Sequence, residues 1–238
     1  MNAPVRFKLY LITDRKLAAR RGGLLSICAA ALRAANETAG EGAIAIQLRE
    51  KDLPARELYA LGCEMRELCA RFAAPLIVND RIDIAIACGA DGVHLPADSF
   101  AIADARRLLG PSRLIGVSTH DLREVRAAAT GVSTGTGADF AVFGPVYAPL
   151  SKEKYGAPHS APPRGLAALR AACDAAVPNA AGGMPVFALG GITAERAREV
   201  AVAAGARVAG VGVIGAVFGA DDPALAVKAL LEALSAPR

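Results

Sequence analysis

The chain has 238 residues, of which 53% are hydrophobic, and it carries a formal net charge of +4. This length suits one large α/β domain or two small ones, and the apolar share is ample for a sizeable core. The small charge gives no reason to expect a nucleic-acid or membrane partner, although an anionic small ligand would suit it. No apolar run reaches membrane-spanning length, and the first residues do not follow the plan of a signal peptide, so we expect a soluble cytoplasmic protein.

Short apolar runs alternate with helical segments from one end of the chain to the other. Hydrophobic periodicity and flanking polar residues predict strands at residues 8–13, 43–48, 76–78, 92–95, 113–117, 139–143, 185–189 and 207–213. The same signals predict helices at residues 24–38, 54–70, 82–88, 100–108, 122–129, 166–175, 194–203 and 222–234. An early basic cluster is interpreted as a solvated loop; its members are Arg15, Lys16, Arg20 and Arg21.

The spacing of these repeats indicates the fold. Eight strand–helix units of about 25–30 residues each are what a (β/α)8 barrel of about 250 residues requires. A doubly wound open sheet is the rival fold, but no GxGxxG follows the first strand, so a dinucleotide-binding fold lacks its usual support. No linker divides the chain, and we therefore predict a single (β/α)8 TIM barrel domain over residues 1–238.

Residues 75–99 indicate where such a barrel would carry a site. A short apolar run stops at Asn79-Asp80, a helical segment closed by Gly89 follows, and a second apolar run ends in polar residues before Ser99. Strand, helix and strand in so short a stretch form a βαβ unit with parallel strands. Parallel α/β folds bind ligands outside the carboxyl ends of their strands. Taken alone, however, the Asn79-Asp80 pair is more readily interpreted as a cap of the next helix.

Polar residues and glycines follow most of the predicted strands, and in a barrel they would share one face. They are Gln47, Arg49, Lys51, Asn79, Asp80, Ser99, Ser118, His120, Lys152, Gly190, Gly191 and Gly215. Cations and backbone N–H groups suit phosphate groups, and glycines after strands seven and eight let backbone amides approach phosphate oxygens. The alternative for the Gly190-Gly191 pair is an ordinary tight turn.

Two further side chains suggest chemistry at this face. Asp80 is a hard oxygen ligand of the kind that Mg²⁺ takes together with substrate phosphates. His120 follows a predicted strand and is placed for proton transfer near neutral pH. His94 lies within a strand, where a core histidine with a satisfied hydrogen bond is the better interpretation, and His159 lies in a proline-rich loop.

At these residues the sequence resembles the thiamine phosphate synthase family, which includes the thiazole tautomerases. The shared motifs run in order along nearly the whole chain: LYLITD, IQLREK, LIVNDRIDIAIACGADGVHL, IGVSTH, GADFAVFGPVY, FALGGIT and VGVIGA. The resemblance implies a (β/α)8 barrel and a transferase that joins 4-amino-2-methyl-5-hydroxymethylpyrimidine diphosphate to a thiazole phosphate, giving thiamine phosphate and pyrophosphate. It also implies small phosphorylated substrates and Mg²⁺ as cofactor, while a homo-oligomer is left open.

Roles for individual residues follow from the resemblance. The pyrimidine diphosphate would be held by Gln47, Arg49, Lys51, Asn79, Ser118, Ser151 and Lys152. Asp80 would ligate Mg²⁺, and the thiazole phosphate would be cradled by Gly190, Gly191, Ile214 and Gly215. The chemistry looks dissociative in this family, so that Arg49 and Lys152, together with Mg²⁺, would stabilise the leaving pyrophosphate while the thiazole nitrogen captures the pyrimidine-methyl cation.

Two departures from the family's pattern complicate this assignment. Synthases usually have HLGQ followed by an acidic pair, whereas this chain has HLPADS at residues 94–99. Ser99 therefore stands where a synthase has the second carboxylate that binds Mg²⁺, and Asp98, one residue earlier, is the substitute ligand. The synthase loop is rich in Thr before its Lys, whereas here residues 148–152 read APLSK and only Ser151 offers a hydroxyl. Both changes resemble the tautomerases, which isomerise a thiazole carboxylate phosphate and in which a histidine after strand five, here His120, is implicated.

Three hypotheses therefore stay open. A Mg²⁺-dependent synthase is favoured, because a tautomerase has no evident need for a diphosphate-binding set of side chains. A metal-independent tautomerase that uses His120 is the second hypothesis. The third comes from another class, a non-catalytic binder of thiamine precursors, which Ser99 permits but which no other residue favours.

Overall fold

Eight parallel strands close into a barrel. The computed structural model describes residues 5–132, 134–148, 162–176 and 183–235. The strands are β1 Leu9–Ile12, β2 Ile44–Leu48, β3 Leu76–Asn79, β4 Gly92–Leu95, β5 Leu114–Thr119, β6 Phe140–Phe143, β7 Val186–Leu189 and β8 Val208–Val213. Each strand pairs with the next along the chain, and β8 returns to pair with β1. The predicted (β/α)8 barrel is confirmed.

Helices connect the strands on the outside of this barrel. They are α1 Arg15–Ala18, α2 Leu24–Ala39, α3 Ala55–Ala70, α4 Ile82–Ala87, α5 Ile102–Leu109, α6 Leu122–Ala129, α7 Gly165–Ala175, α8 Ala194–Ala204, α9 Gly215–Phe218 and α10 Pro223–Ser235, and a 3₁₀ turn, Gly205–Arg207, precedes β8. Among these described elements, no helix combines the length and the apolar character needed to cross a membrane.

Aromatic side chains fill the interior of the barrel. Tyr10, Phe140 and Phe187 are fully buried there, and Phe7 stacks on Phe187 with ring centroids 4.8 Å apart. Gly116 on β5 makes room for the Phe140 ring, because a Cβ at this position would lie 2.2 Å from it. A second and larger apolar layer, rich in Ala, Val, Leu and Ile, packs the helices against the outer face of the strands. Phe7, Tyr10, Phe140 and Phe187 are thus the aromatic members of the interior cluster, whereas the outer layer is mainly aliphatic.

Most predicted boundaries agree with the structure within one or two residues, and the differences have physical reasons. The helix predicted to begin at residue 100 begins at Ile102, and the side chain of Phe100 is exposed instead. Pro54 lies just before α3 rather than within it, at an extended φ of −65° and ψ of 158°. Two four-residue helices, α1 and α9, were not predicted, because so few residues give no helical period.

The interpretation of the early basic cluster as a solvated loop is wrong for its first two members. Arg15 and Lys16 lie in α1, which Asp14 caps by accepting hydrogen bonds from the backbone N–H groups of Lys16 and Leu17. The Arg15 guanidinium lies 2.8 Å from the Asp52 carboxylate, and Lys16 Nζ lies 2.9 Å from it. These cations pair with acidic groups that follow β2 and are therefore partly neutralised.

Candidate active site at the carboxyl ends of the strands

Side chains from four neighbouring strands meet inside the barrel near the carboxyl ends of its strands. Register places Gln47 beside Ile77, Asn79 beside His94, and Ser118 beside Val142. Ile77 and Val142 belong to the interior apolar cluster, so Gln47 and Ser118, in register with them, face inward as well. The chain thus brings together polar residues that are widely separated in sequence.

Gln47 and Asn79 form an amide pair in this layer. Both are buried, and Gln47 Nε2 lies 3.5 Å from Asn79 Oδ1. Burial of an amide is unfavourable unless its donors and acceptors find partners. One long hydrogen bond uses only part of the capacity of the two amides, and the pair can therefore bind a polar ligand above it.

Asp80 and Ser99 lie together at the rim, one after β3 and the other after β4. Ser99 Oγ donates a hydrogen bond of 2.5 Å to Asp80 Oδ1. Asp80 has a φ of 66°, unusual for a residue other than glycine, while its backbone N–H donates to the His94 carbonyl. The interpretation of Asn79-Asp80 as a helix cap is wrong, because α4 is preceded by Arg81 and has no side-chain cap.

His94 is buried between two hydroxyl groups, which confirms that it is a core histidine with satisfied hydrogen bonds. Its Nε2 lies 2.9 Å from Ser118 Oγ, and its Nδ1 lies 3.4 Å from Tyr10 Oη. Burial, and to a smaller extent the charge of Arg49, lowers the pKa of His94 to about 3. His94 is therefore neutral at physiological pH, with one ring nitrogen protonated.

Two exposed cations follow β2. Arg49 donates its backbone N–H to Thr13 Oγ1 at 2.9 Å, which fixes the backbone while its side chain extends into solvent. Lys51 lines a cavity of about 220 Å³ together with Asn79, Asp80 and Arg81. The guanidinium of Arg81 pairs with Asp83, so its charge is already partly used.

Glycine backbone forms the opposite side of this face. Gly190 and Gly191 follow β7 with φ values of 103° and 63°, where a side chain is strained. A Cβ on Gly191 would lie 2.2 Å from the Ala148 carbonyl oxygen. The Arg196 guanidinium donates to the Gly191 carbonyl at 2.8 Å and lies over the Tyr147 ring. A close approach of backbone segments therefore requires glycine here, whatever else the turn binds.

Gly215 begins the short helix α9 directly after β8. Ile214 precedes it and packs against the interior cluster of the barrel. Nothing lies within 4 Å of the position that a Gly215 Cβ would take, so this backbone is open. The open position after β8 lies next to the Gly190-Gly191 turn, because β7 and β8 are neighbours.

His120 lies after β5 and pairs with an acid of the following helix. Glu124 Oε2 accepts hydrogen bonds from the His120 backbone N–H at 2.6 Å and lies 3.2 Å from His120 Nδ1. The side chain of His120 is 40% exposed. His120 therefore lies at the rim, one residue beyond the end of a strand, and among the described residues it pairs with Glu124.

Three predicted site residues need separate mention. Ser151 and Lys152 lie outside the described residues. Asp98 is exposed beside Ser99, and the hydrogen bond to Asp80 comes from Ser99. Within the described part of the chain, no group of three or more His, Cys, Asp or Glu side chains is arranged to hold a metal ion.

Sequence reasoning did not find Tyr10 or the pair Tyr147 and Arg196. Tyr10 lies in an apolar strand, and the pattern of such a strand carries no sign of a polar contact with a residue 84 positions away. The Tyr147 hydroxyl donates to Glu199 at 2.7 Å, again across a long separation in sequence. These contacts exist only once the barrel has closed.

Comparisons with known proteins identify the family of the chain. A family model described as thiamine monophosphate synthase matches residues 9–217. The chain belongs to that family. It is 48% identical to a putative thiamine-phosphate synthase of Geobacter sulfurreducens over 99% of this chain and 98% of that protein. It is 41% identical to the thiamine-phosphate synthase of Roseiflexus castenholzii over 94% of this chain and 86% of the other.

A solved structure of the family is similar as well. The thiamine phosphate pyrophosphorylase from Pyrococcus furiosus superposes with a TM-score of 0.75 at 32% identity, covering 97% of this chain and 96% of that one. The 3-hexulose-6-phosphate synthase structure, at 20% identity and a TM-score of 0.62, shares the fold alone. The predicted family, the (β/α)8 fold and the enzyme class, a thiamine-phosphate synthase among the transferases, are thus confirmed.

Proposed function

We propose that this enzyme condenses 4-amino-2-methyl-5-hydroxymethylpyrimidine diphosphate with thiazole phosphate at the carboxyl ends of its strands. What supports the proposal most is that Lys51, Asn79 and Asp80 line one cavity beside the barrel interior. A cation, an amide and a carboxylate around one cavity suit a diphosphate and its counter-ion. Small phosphorylated substrates also fit the family to which the chain belongs.

The pyrimidine diphosphate lies on the β2–β5 side. Gln47 and Asn79 offer amide groups to it from the barrel interior, and Ser118 contacts the pyrimidine ring. Arg49 and Lys51 bind the diphosphate from the rim, where solvent exposure leaves their charges available. Ser151 and Lys152, outside the described residues, complete this set from the loop after β6.

Asp80 and Ser99 hold Mg²⁺ in this proposal. Their oxygens are hard ligands, and the hydrogen bond of 2.5 Å between them puts two such atoms at one point of the rim. One carboxylate fits Mg²⁺ bound chiefly through substrate phosphates and water, and Asp98 is a substitute ligand if its side chain turns inward. When bound, the ion neutralises charge on the diphosphate.

The thiazole phosphate lies on the β7–β8 side. Gly190 and Gly191 present backbone without side chains, and Ile214 and Gly215 continue this surface after β8. Phosphate is commonly bound after strands seven and eight of such barrels. With the two substrates on opposite sides of one mouth, the thiazole nitrogen can reach the carbon that carries the diphosphate.

The reaction then needs no proton acceptor from the protein. The C–O bond to the diphosphate breaks with its electron pair going to pyrophosphate, and the lone pair of the thiazole nitrogen forms the new C–N bond to the pyrimidine-methyl cation. Arg49 and Lys152 stabilise the charge that develops on the leaving group. The remaining role of the barrel is to hold the two substrates in line and to exclude water.

A thiazole tautomerase activity is the second candidate. It is favoured by the His120–Glu124 pair, which joins a partly exposed imidazole to a carboxylate, and by Ser99 in place of a second acid. The matching relatives named above are called synthases, which speaks for condensation. The same names argue against a non-catalytic binder of thiamine precursors.

A cytoplasmic location, a single domain over residues 1–238 and the oligomeric state stay predictions.

Incubation with both substrates, with and without Mg²⁺, tests the proposal. We expect thiamine phosphate and pyrophosphate in equal amounts, with formation dependent on Mg²⁺. If the protein isomerises a thiazole carboxylate phosphate and forms no thiamine phosphate, it is a tautomerase and the proposed condensation is wrong. Product formed equally well in the presence of a chelator would contradict the role of Asp80 and Ser99 in holding the metal.

A further inference from the structure

A chain of three polar groups runs from the centre of the barrel to its mouth. Tyr10 Oη lies 3.4 Å from His94 Nδ1, and His94 Nε2 lies 2.9 Å from Ser118 Oγ. Tyr10 and His94 are buried, whereas Ser118 is partly exposed. The innermost group thus has no access to solvent and the outermost one does.

The direction of the first hydrogen bond follows from the chemistry of a buried phenol. Burial raises the pKa of Tyr10, so the hydroxyl keeps its proton. That proton needs an acceptor, because an unpaired buried donor is costly. Among the described residues, His94 Nδ1 is the hydrogen-bond partner of Tyr10 Oη. Tyr10 therefore donates and Nδ1 accepts, which leaves Nδ1 without a proton.

The second hydrogen bond then has a fixed direction as well. A neutral imidazole carries one proton, and with Nδ1 acting as acceptor this proton is on Nε2. Nε2–H donates to Ser118 Oγ, which occupies a lone pair of that oxygen. The hydrogen of the Ser118 hydroxyl is left to point away from the imidazole, toward the mouth of the barrel.

We infer that Tyr10 selects the Nε2–H tautomer of His94 and thereby makes Ser118 a hydrogen-bond donor toward the bound pyrimidine. Tyr10 and His94 are positioning residues that act through Ser118, and neither contacts the substrate in this role. A ring nitrogen of the pyrimidine accepts the bond from Ser118, whereas the exocyclic amino group, itself a donor, faces elsewhere. This assignment of the substrate atom rests on the proposed function; the tautomer does not.

The tautomer is measured directly by ¹⁵N NMR of the histidine rings in the wild-type protein without substrate. The signal of His94 is identified by its absence from the spectrum of His94→Gln. We expect a protonated Nε2 and an unprotonated Nδ1, and a mixture of both tautomers in Tyr10→Phe. A proton on Nδ1 in the wild type overturns the inference, and this result does not require Tyr10→Phe to fold.

The effect on the substrate is measured by a double-mutant cycle. Tyr10→Phe should keep the ring contacts of Tyr10 with Phe7 and Phe140. We expect it to weaken binding of the pyrimidine diphosphate about 5- to 10-fold, the loss that accompanies one hydrogen bond. In the Ser118→Ala background the same change should have no further effect, because the group through which Tyr10 acts is gone.

Equal losses in both backgrounds would show that Tyr10 has only a packing role and would overturn the inference. Tyr59→Phe, at a surface position of α3, is the matched control and should bind as the wild type does. Absence of pyrimidine diphosphate binding by the wild type would contradict the proposed function instead. The NMR measurement would still decide the tautomer of His94, because it needs no substrate.

Discussion

The two sides of the barrel mouth are built in different ways. The β2–β5 side presents side chains, with an amide pair, a buried imidazole and two exposed cations that follow β2. The β7–β8 side presents backbone, with two glycines at positive φ packed against a neighbouring loop. Specific recognition of a ring needs placed donors and acceptors, whereas a phosphate can be bound by N–H groups alone. The β2–β5 side is therefore tested by shortening side chains, and the β7–β8 side by adding a side chain to a glycine.

Gly191→Ala should have the largest effect. Its Cβ would lie 2.2 Å from the Ala148 carbonyl oxygen, and its φ of 63° disfavours a side chain, so the turn must move. We expect kcat/KM for thiazole phosphate to fall by about 100-fold, the size of effect that a 1 Å displacement can produce. Gly40→Ala, which has a φ of 84° and no neighbour within 4 Å, is the matched control for backbone strain. Equal kinetics for the two variants would contradict a binding role for Gly191.

Lys51→Ala should weaken the other substrate. Loss of a charge-assisted hydrogen bond to a phosphate is expected to weaken pyrimidine diphosphate binding by about 10- to 100-fold. Stability should change little, because the side chain is exposed. Isothermal titration calorimetry measures the affinity, and Arg71→Ala, an exposed cation at the far end of α3, is the control. An unchanged affinity would remove Lys51 from the site.

His94→Gln should flatten the pH dependence of stability. Burial, and secondarily Arg49, lowers the pKa of His94 to about 3, against an ordinary value of about 6.5. The unfolded chain therefore binds a proton in this range that the folded chain does not, so stability is lost as the pH falls below 6.5. Between pH 7 and pH 5 the loss from this group is about 2 kcal/mol. Urea unfolding at both pH values should show a correspondingly smaller change in the variant, and identical slopes would contradict a neutral His94.

Ser99→Asp should sharpen the assignment of the metal. A second carboxylate beside Asp80 repels it without Mg²⁺ and binds the ion with it, so we expect about a 10-fold gain in Mg²⁺ affinity. The readout is the rise of the melting temperature on adding Mg²⁺, which should be larger in Ser99→Asp than in the wild type. Ser99→Ala should show a smaller rise than either. The same rise in all three proteins would place the metal elsewhere.

His120→Ala should have the smallest effect on condensation. His120 pairs with Glu124 at the rim, and the proposed reaction transfers no proton to the protein. We expect kcat for thiamine phosphate formation to stay within about 3-fold, since residues away from the reacting atoms contribute little. Any isomerisation of a thiazole carboxylate phosphate should be lost. A large loss of condensation would show that His120 has a structural or catalytic role in both reactions.

The sequence was sufficient for the barrel, and insufficient for the contacts across it. Eight regular repeats, with apolar strands that end in polar residues, predict a closed parallel fold because strand and helix periods are local. The Asp80–Ser99 hydrogen bond, the Tyr10–His94 hydrogen bond and the Tyr147–Arg196 contact join residues from different repeats. Local periodicity carries no information about such pairs. The short helix α1 was missed for a different reason, since its four residues are too few to show a period.

Separate binding of the two substrates to Lys51→Ala and Gly191→Ala tests most directly whether one mouth holds both. Calorimetry should show that Lys51→Ala loses affinity for the pyrimidine diphosphate and keeps that for thiazole phosphate, while Gly191→Ala shows the reverse. Loss of the same ligand by both variants, or of neither ligand by either, would contradict a mouth divided between a side-chain half and a backbone half.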